Sequence, residues 1–485
     1  MPKKKLRAAH SARNRFEKKK GTKKMKKTNK KKIAAVLAAA LSLTMLAAGC
    51  GKKEDDSDEL VTNVITQAEE SSGSAGSETQ TSDGSEAVVT ETVLDDEGNV
   101  VTDAGGAPVT QTQAVTAAPE GGVENVFENT TAKPKPVVDS SVDSSTRYVY
   151  NTLTEDEQKL YDAIVGAASN MSTRIYGTNN LDSAEWSKIF GLVYNQEPQL
   201  FWLSTKSVVG RIYYLETDTE KIASMQKEID ATVDSLIKEA NSKSTTYEKL
   251  LVFHDYLVLN STFEKNSGTA GSFNQTIYNA FAGGTSSQGN IQCSGYAKAM
   301  QYLCDKAGID CMVIVGTNDK DLSHAWNKVK VEGEWYNLDC TWDDPILTDP
   351  VENYLRYNYF LVPDEWINNK THFNVNKVTL KSGKTFTYYD PPKATSDSLN
   401  YFVKNGYVYK DFDSADKALK AALEDAASKK GAVAHIMVDS DDIYKKITSD
   451  LAGYQKYIKE KNSAVSALTS NCNPNMRLIQ LDLKY

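Results

Sequence analysis

The sequence predicts an α+β core in which one helix begins at a cysteine and packs on an antiparallel sheet that carries a histidine and an aspartate. Residues 293–308 place apolar side chains at helical spacing and end in glycine, which often terminates a helix. Residues 324–331 and 335–342 indicate two strands, and Glu332-Gly333 between them is typical of a two-residue hairpin turn. The apolar run at 311–315 predicts a buried strand beside this hairpin.

The predicted turn determines which residues face each other across the hairpin. It pairs Trp326 with Asp339 and His324 with Thr341, and side chains alternate between the two faces of a strand. His324 and Asp339 are then diagonal neighbours on one face, about 7 Å apart at the backbone. A three-residue loop would place them on opposite faces, so their pairing depends on this turn.

Cys293, His324 and Asp339 together have the chemistry of a nucleophilic cysteine site. Thiolate is the reactive form of cysteine, and partial positive charge at a helix N-terminus or a nearby imidazolium favours it. The cysteine would attack a carbonyl carbon, the histidine would move the proton, and the aspartate would orient the imidazole. The backbone N–H of Cys293 is the predicted oxyanion donor, and Gln288 and Gln292 are both candidates for the second donor. The alternative for Cys293 is an ordinary helix start.

Three short strings around these residues resemble the transglutaminase-like superfamily, most closely its bacterial extracytoplasmic members. The strings are QCSGYA at 292–297, SHAWN at 323–327 and EWYNLDCTWDDP at 334–345. Residues 249–257 also resemble the helix that precedes the core in such proteins, and the resemblance covers about residues 245–390.

The resemblance implies a papain-like fold, with Cys293 as the nucleophile, His324 as the catalytic histidine and Asp339 as the third member. The superfamily includes protein cross-linkers, cysteine peptidases, amidases and non-catalytic relatives. The resemblance therefore implies a kind of site and leaves the reaction open.

The other cysteines are predicted to be small buried hydrophobic side chains; they are Cys304, Cys311, Cys340 and Cys472. A disulfide between Cys304 and Cys311 stays open, because sequence does not establish pairing. The sequence contains no Cys/His spacing typical of a metal site and no glycine-rich loop of phosphate-binding form. We therefore expect neither a metal nor a cofactor.

Three other histidines have simpler interpretations than catalysis. His254 lies among helical apolar residues and is predicted to be structural, and His435 is predicted to lie in a strand. His372 follows the core and could line the cleft, although a place at the surface is the preferred prediction. Asp343 and Asp344 are alternatives for the third member of the site. The proline that follows them indicates a strand end or a loop.

Residues 1–49 indicate an export signal. Residues 1–32 hold sixteen Lys and Arg and one acidic residue, and a short apolar run follows at 33–48. A basic segment before such a run is typical of a signal peptide, and the run is short for a membrane span. The string LAAGC that ends at Cys50 resembles a bacterial lipobox, which implies a lipid anchor on Cys50. Met25 is an alternative start to Met1.

Residues 50–145 are predicted to be the lipid anchor and a disordered acidic linker. Residues 51–145 contain twenty Asp and Glu, four Lys and one aromatic residue, too little apolar surface to offset chain entropy. This segment dominates the net charge of −8. The net charge therefore says little about the partner of the active site, and no nucleic-acid partner is expected.

Three folded regions are predicted after the linker: a mainly helical subdomain at 146–245, the catalytic core at 246–393 and a small α/β domain at 394–485. The first region contains a capping box at 154–157, a helix at 218–240 and strands at 199–203 and 208–215. The last region contains predicted strands and helices in alternation, at 401–409, 414–429, 432–438, 441–459 and 476–484. We find no catalytic motif in it.

The function expected from these features is an extracytoplasmic lipoprotein enzyme that transfers acyl groups from glutamine or peptide-type amides through a thioester. One alternative is a cysteine peptidase or cell-wall amidase with water as acceptor, and another is a non-catalytic surface binding module. The expected partners are a protein or cell-wall peptide substrate and the membrane that holds the lipid on Cys50.

Overall fold

The computed structural model describes residues 87–92, 110–115, 143–178, 180–264, 272–282, 290–320, 322–344, 355–368, 370–374, 377–379, 383–431 and 433–485. The predicted signal peptide, the predicted lipid anchor at Cys50 and the candidate Gln288 lie outside these residues. Within the predicted linker, strands β1 (Ala87–Thr92) and β2 (Thr110–Val115) pair antiparallel.

The region that precedes the core is mainly helical, as predicted. Its elements are α1 (Glu155–Ser169), α2 (Ser183–Gln196), β3 (Leu203–Val208), β4 (Arg211–Tyr214) and α3 (Thr219–Ala240). Thr154 and Glu157 form the predicted capping box of α1, and the Asp218 carboxylate caps α3. The two caps use side chains to satisfy N–H groups that a helix start leaves without partners.

The predicted strand at 199–203 is wrong. Residues 197–202 form turns, in which the Leu200 N–H donates to Glu197 O at 3.0 Å. Pro198 has no N–H to give to a sheet ladder, and the aromatic residues that follow it are buried in the core. The predicted strand at 208–215 is shortened to β4 because a turn precedes it.

The core begins at α4 and carries the candidate site. Its elements are α4 (Thr246–Asn260), β5 (Thr262–Phe263), α5 (Ile277–Phe281), β6 (Asn290–Ile291), α6 (Cys293–Lys306), β7 (Cys311–Asn318), β8 (Ser323–Val331), β9 (Glu334–Leu338), α7 (Cys340–Asp343), α8 (Asp364–Ile367), β10 (His372–Asn374), β11 (Lys377–Thr379) and β12 (Thr385–Thr387). Four strands form an antiparallel sheet in the order β10-β7-β8-β9. Helix α6 packs on this sheet, where Asn327 Nδ2 donates to Ala297 O at 2.9 Å. The predicted α+β architecture, a cysteine-bearing helix on an antiparallel sheet, is confirmed.

The hairpin of β8 and β9 has the predicted register. Asn327 pairs with Leu338, and the ladder continues without interruption to the turn. Glu332 and Gly333 form that turn with φ angles of 53° and 89°, the left-handed region that two-residue hairpin turns use. The turn on which the pairing of His324 with the aspartate depends is therefore present.

The predicted strand at 335–342 is wrong beyond Leu338. Asp339 is instead the N-cap of α7, and its Oδ1 accepts the N–H groups of Thr341 and Trp342 at 2.8 and 3.1 Å. An aspartate that accepts two backbone donors starts a helical turn more readily than it continues a strand. Thr341 therefore does not extend the ladder, and Asp343 ends α7 and does not lie at a strand end or in a loop.

The C-terminal region is a small α/β unit with its own hydrophobic core. Its elements are α9 (Tyr401–Lys404), β13 (Val408–Tyr409), α10 (Phe412–Ser428), β14 (Val433–Val438), α11 (Asp441–Thr448), α12 (Leu451–Lys461), β15 (Ala467–Ser470) and β16 (Leu478–Lys484). The sheet has the order β13-β14-β16-β15, with β13 and β14 parallel.

Three predictions for this region are wrong in detail. The single strand at 401–409 is a helical turn followed by a short strand, because the Asn400 side chain caps the Phe402 N–H. The single helix at 441–459 is two helices, because Asp450 caps a second start. Strand β15 was not predicted at all, since its four residues lack a clear alternation of apolar side chains.

One hydrophobic core joins the helical region to the four-stranded sheet β10-β7-β8-β9. A buried ion pair also links them: Arg147 Nη2 lies 3.2 Å from Asp305 Oδ2 on α6 and 3.4 Å from Glu197 Oε2 after α2. The guanidinium bridges the end of the cysteine-bearing helix to the helical region. The helical region thus packs on the core. Among the described residues, no helix is long and apolar enough to cross a membrane.

Candidate active site

His324 and Asp339 are joined by a short hydrogen bond. His324 is the second residue of β8, at the end of the hairpin away from the turn. Its Nε2 lies 2.6 Å from Asp339 Oδ2. The exposed fraction is 0% for the histidine and 2% for the aspartate. Burial removes competing water, so a charge-assisted hydrogen bond of this length is strong.

The environment of Asp339 keeps its carboxylate ionised. Burial alone would raise its pKa, but His324 and then His372 hold the pKa of this carboxyl well below its usual range. The two N–H groups at the start of α7 act in the same direction, because they donate to the charged form. Asp339 therefore remains an anion able to stabilise a histidine cation.

His372 is buried, and the prediction that it lies at the surface is wrong. Its exposed fraction is 0%, and its Nε2 lies 2.8 Å from Asp339 Oδ2, the oxygen that also accepts from His324. The rings of His324 and His372 are 5.2 Å apart at their centroids. No spacing in the sequence indicates this contact, because β10 reaches the site through sheet pairing thirty-three residues beyond Asp339.

Gly316 lies in the sheet beside the two histidines. It pairs with His324 on one side and with Asn374 on the other, so it lies between β8 and β10 on the face that carries both imidazoles. A Cβ at Gly316 would lie 2.2 Å from Phe373 O and 2.8 Å from the Trp326 ring. Only glycine therefore fits beside the Trp326 ring, which packs against both imidazoles.

Cys293 is the first residue of α6 and is fully buried. It packs in a small cluster with Ala297, Val313 and Ala325, and Ala325 follows His324 directly on β8. The first turn of α6 carries no acidic side chain, so the partial positive charge of the helix start is not offset there. The thiol is thus placed beside the strand of the histidine, at the position where a helix favours an anion.

Gln292 precedes the cysteine and is held by two hydrogen bonds. Its N–H donates to Asn274 O at 2.8 Å, and its side-chain Oε1 accepts from Gln275 Nε2 at 2.8 Å. Because Oε1 is used in this way, the amide nitrogen is the end of the side chain left to serve as a donor elsewhere. Gln292 is buried, with an exposed fraction of 1%.

Three of the other described thiols, Cys304, Cys340 and Cys472, lie in environments that disfavour the thiolate. Burial raises the pKa of Cys304 and of Cys340 well above the ordinary value, and raises that of Cys472. Cys304 and Cys340 are fully buried, as predicted, whereas Cys311 and Cys472 are partly buried. The five described cysteines are free thiols, so no disulfide joins Cys304 to Cys311 in this structure.

A second buried network lies behind the site at α7. His254 on α4 lies 3.1 Å from Asp255 through Nδ1 and 3.1 Å from Asp343 through Nε2. Burial would lower the pKa of His254, but the two carboxylates raise it to about 9. Asp343 is therefore a partner of His254, and Asp344 accepts a hydrogen bond from the Tyr296 hydroxyl. Neither of these aspartates occupies the place of the third member.

His324, Asp339 and His372 are also the group of described side chains whose spacing could hold a metal ion. Their Nε2–Oδ2 distances of 2.6 and 2.8 Å are those of hydrogen bonds. Ligands of a tetrahedral zinc ion at about 2.1 Å would lie about 3.4 Å apart. Two histidine nitrogens and a carboxylate oxygen are ligands that zinc can bind. The atoms lie closer together than zinc ligands would, at the distances of hydrogen bonds.

Comparison with known families confirms the resemblance for this part of the chain. Residues 234–340 match the model of the transglutaminase-like superfamily. This range contains Cys293, His324 and Asp339, whereas His372 lies beyond it. Residues 234–340 thus form a transglutaminase-like domain, and the rest of the chain is not covered by that match.

Curated relatives match the same region at moderate identity. Kyphoscoliosis peptidase of Homo sapiens is 30% identical over 135 residues, which are 25% of this chain and 18% of that protein. The Mus musculus protein of the same name is 31% identical over 100 residues, 18% of this chain and 15% of that protein. The chain therefore spans less than a fifth of the length of these relatives.

Solved structures resemble the chain only in part. A structure described as a TGase is 18% identical over 32% of this chain and 39% of that chain, with a TM-score of 0.23. The periplasmic domain of TgpA from Pseudomonas aeruginosa is 14% identical over 24% of this chain and 43% of that chain, with a TM-score of 0.20.

Proposed function

We propose that this chain is an extracytoplasmic, membrane-anchored enzyme that transfers acyl groups through a cysteine thioester. The observation that supports this most directly is the 2.6 Å hydrogen bond between His324 and Asp339, beside Cys293 at the start of α6. An ionised aspartate stabilises an imidazolium, and an imidazolium together with a helix start stabilises a thiolate. The match to the transglutaminase-like superfamily over 234–340 supports the same assignment.

The reaction proceeds in two halves that use the same residues. In the first, His324 takes the proton of Cys293, and the thiolate attacks the carbonyl carbon of a glutamine carboxamide or a peptide-type amide. His324 then returns the proton to the departing nitrogen as the C–N bond breaks, which leaves a thioester on the sulfur. The Cys293 N–H and the Gln292 amide are the proposed donors to the oxyanion.

In the second half, an acceptor resolves the thioester. A primary amine or water gives its proton to His324 and attacks the carbonyl carbon, and the C–S bond breaks to restore the cysteine. A primary amine yields a new amide, and water yields a carboxylic acid. The relatives from Homo sapiens and Mus musculus are named as peptidases, which supports water as the alternative acceptor.

The place of action proposed for the enzyme is the outer side of the cell membrane. Cys50, at the end of the apolar run, is proposed to carry the lipid, and the acidic segment 51–145 is proposed to separate the enzyme from the membrane. The proposed substrates are proteins or cell-wall peptides. A Cys50→Ala variant that remained in the membrane fraction would contradict this anchor.

The acyl-transfer proposal is tested with the full chain, a glutamine-containing peptide and a fluorescent primary amine. We expect the wild type to incorporate the amine and Cys293→Ala to incorporate none. The control Cys472→Ala changes a partly buried thiol beside the C-terminal core and should still incorporate the amine. Release of the hydrolysed peptide without amine incorporation would establish water as acceptor. Turnover by Cys293→Ala, or none by the wild type, would overturn the proposal.

Selective alkylation gives a test that needs no substrate. Iodoacetamide should label Cys293 well below pH 8.5, the usual pKa of a free thiol being about 8.5. Cys304 and Cys340 should stay unlabelled, because burial raises the pKa of both. Since Cys293 is fully buried, its labelling should reach a plateau at high reagent concentration, where opening of the site limits the rate. Equal labelling of all three thiols would contradict an activated nucleophile.

A further inference from the structure

His372 contacts the same carboxylate oxygen as the proposed catalytic histidine. We propose that His372 is a positioning residue: its Nε2–H, 2.8 Å from Asp339 Oδ2, holds this carboxylate in the orientation that serves His324. The inference rests on the proposed function. It concerns a residue outside the range 234–340 that matches the superfamily model.

The sheet brings His372 to the site by its register. His372 pairs with Asn318 across β10 and β7, and Gly316, two residues earlier, pairs with His324 across β7 and β8. Residues two apart on a strand share a face, so both imidazoles project from the same side of the sheet. The two rings are 5.2 Å apart at their centroids beside Asp339, and the Trp326 ring, which a Cβ at Gly316 would displace, packs against both.

The hydrogen bonds of Asp339 leave the carboxylate little freedom to rotate. Oδ1 accepts two backbone N–H groups of α7, and Oδ2 accepts from His324 and His372. A carboxylate offers about four acceptor positions, and all four are occupied. Without His372, Oδ2 would be held only by the hydrogen bond from His324, the residue that moves the proton in the proposed reaction.

His372 is itself held in place for this role. Its ring is fully buried and its Nδ1 lies 2.9 Å from the Thr371 hydroxyl, whose oxygen also lies 3.5 Å from Ile367 O. Because both ring nitrogens have a partner, the ring is held against rotation and its Nε2 stays directed at Asp339.

The experiment compares His372→Gln with His372→Leu in the full chain. The amide nitrogen of glutamine can replace Nε2 as a donor to Asp339, whereas leucine fills the space without donating. We expect the leucine variant to lower kcat by about 10- to 100-fold with KM nearly unchanged, as loss of a partner that orients a functional group typically does. We expect the glutamine variant to retain most of the wild-type kcat.

The matched control is His435→Leu, which makes the same change at another histidine away from the site. His435 lies on β14, is partly buried, and its ring centroid is 4.9 Å from that of Phe402. Its replacement should leave kcat unchanged once the folded fraction, followed by circular dichroism, is taken into account. A wild-type kcat in His372→Leu, or an equal loss in the leucine and glutamine variants, would overturn the positioning role.

A second readout separates this inference from the proposed function. The Nε2 proton shared by His324 and Asp339 at 2.6 Å should give a proton resonance far downfield, and the chain has five histidines to assign. We expect this resonance to move in His372→Leu and to stay in His372→Gln and His435→Leu. If the wild type showed no turnover but the resonance moved in His372→Leu alone, the proposed function would be contradicted and the positioning role supported. If the resonance did not move in His372→Leu, the positioning role would be overturned.

Discussion

His254 carries a buried charge whose contribution to stability follows from its pKa. It lies between Asp255 and Asp343, has no exposed surface, and its pKa is raised from the ordinary 6.5 to about 9. We consider the double variant His254→Gln, Asp343→Asn. The two amides keep a hydrogen bond between α4 and α7 and remove both titrating groups.

The magnitude follows from the difference between the folded and the unfolded pKa of His254. A rise from 6.5 to about 9 corresponds to about 3 kcal/mol in the free energy of unfolding. Because the native state binds this proton more tightly, the contribution is complete below pH 6.5 and is lost as the pH rises through about 9. The wild type should therefore lose about 3 kcal/mol more than the double variant between pH 6 and pH 10.

Asp343 shifts in the direction opposite to that expected for an ion-pair partner. Burial raises its pKa above 3.8, although the contact with His254 lowers it. A carboxyl with a raised pKa contributes stability that is lost as the pH rises from 3.8 through its folded pKa, and the double variant removes this contribution together with that of His254. We assign the charge to His254 because two carboxylates face its ring.

The assay is urea unfolding followed by tryptophan fluorescence at pH 6, 7.5, 9 and 10. All six tryptophans lie between Trp186 and Trp366, so the signal reports on the helical region and the catalytic core. The control is His435→Gln, because burial lowers the pKa of His435 to about 4 and it is neutral throughout this range. Equal pH dependence in the wild type and the double variant would refute a cationic His254.

Three other changes have outcomes that the structure specifies. Gly316→Ala should lower the free energy of unfolding by about 3 kcal/mol, because its Cβ would meet the Phe373 carbonyl; urea unfolding at pH 7 measures this, and wild-type stability would contradict it. Asp339→Asn should lower kcat on the order of 10⁴-fold while circular dichroism stays unchanged, because a carboxylate that orients a catalytic imidazole has effects of this size; an unchanged kcat would remove Asp339 from the mechanism. Arg147→Met should lower the free energy of unfolding by about 3 kcal/mol, because it leaves the buried Glu197 and the partly buried Asp305 without their cation; a thermal midpoint equal to that of the wild type would show that this bridge does not stabilise the protein.

The two buried networks meet at α7. Asp339 caps the start of this short helix and Asp343 ends it, so His254 holds the end and the two imidazoles of the site hold the start. The Tyr359 N–H also donates to Asp343 at 3.1 Å. Loss of the His254 contact should therefore reach the Asp339 carboxylate through the single helical turn of α7.

Local pattern was sufficient for the parts of the site that lie close together in the chain. The hairpin register depends on a two-residue turn, and Glu332-Gly333 has the backbone freedom that such a turn requires. The start of α6 at Cys293 and the positive φ of Gly308 after its end likewise follow from neighbouring residues. His324 and Asp339 were predicted to be neighbours for this reason, and the structure joins them.

Competing local signals account for several of the wrong predictions. The run that contains Asp339 is apolar and aromatic, which favours a strand, but the carboxylate caps two N–H groups and starts α7. Residues 197–202 are rich in large apolar side chains, yet Pro198 prevents a ladder. In each case a single side chain with a specific hydrogen-bonding property outweighed the average tendency of its segment.

The sequence alone determined the local parts of the candidate site: a cysteine at a helix start, a histidine and an aspartate brought together by a hairpin, and the superfamily that these motifs resemble. Only the tertiary structure decided that His372 shares the carboxylate of Asp339 and that His254 lies buried against Asp343. The physical reason is that these contacts join strands and helices far apart in the chain. Sheet order and burial create them, and neither is encoded in local spacing.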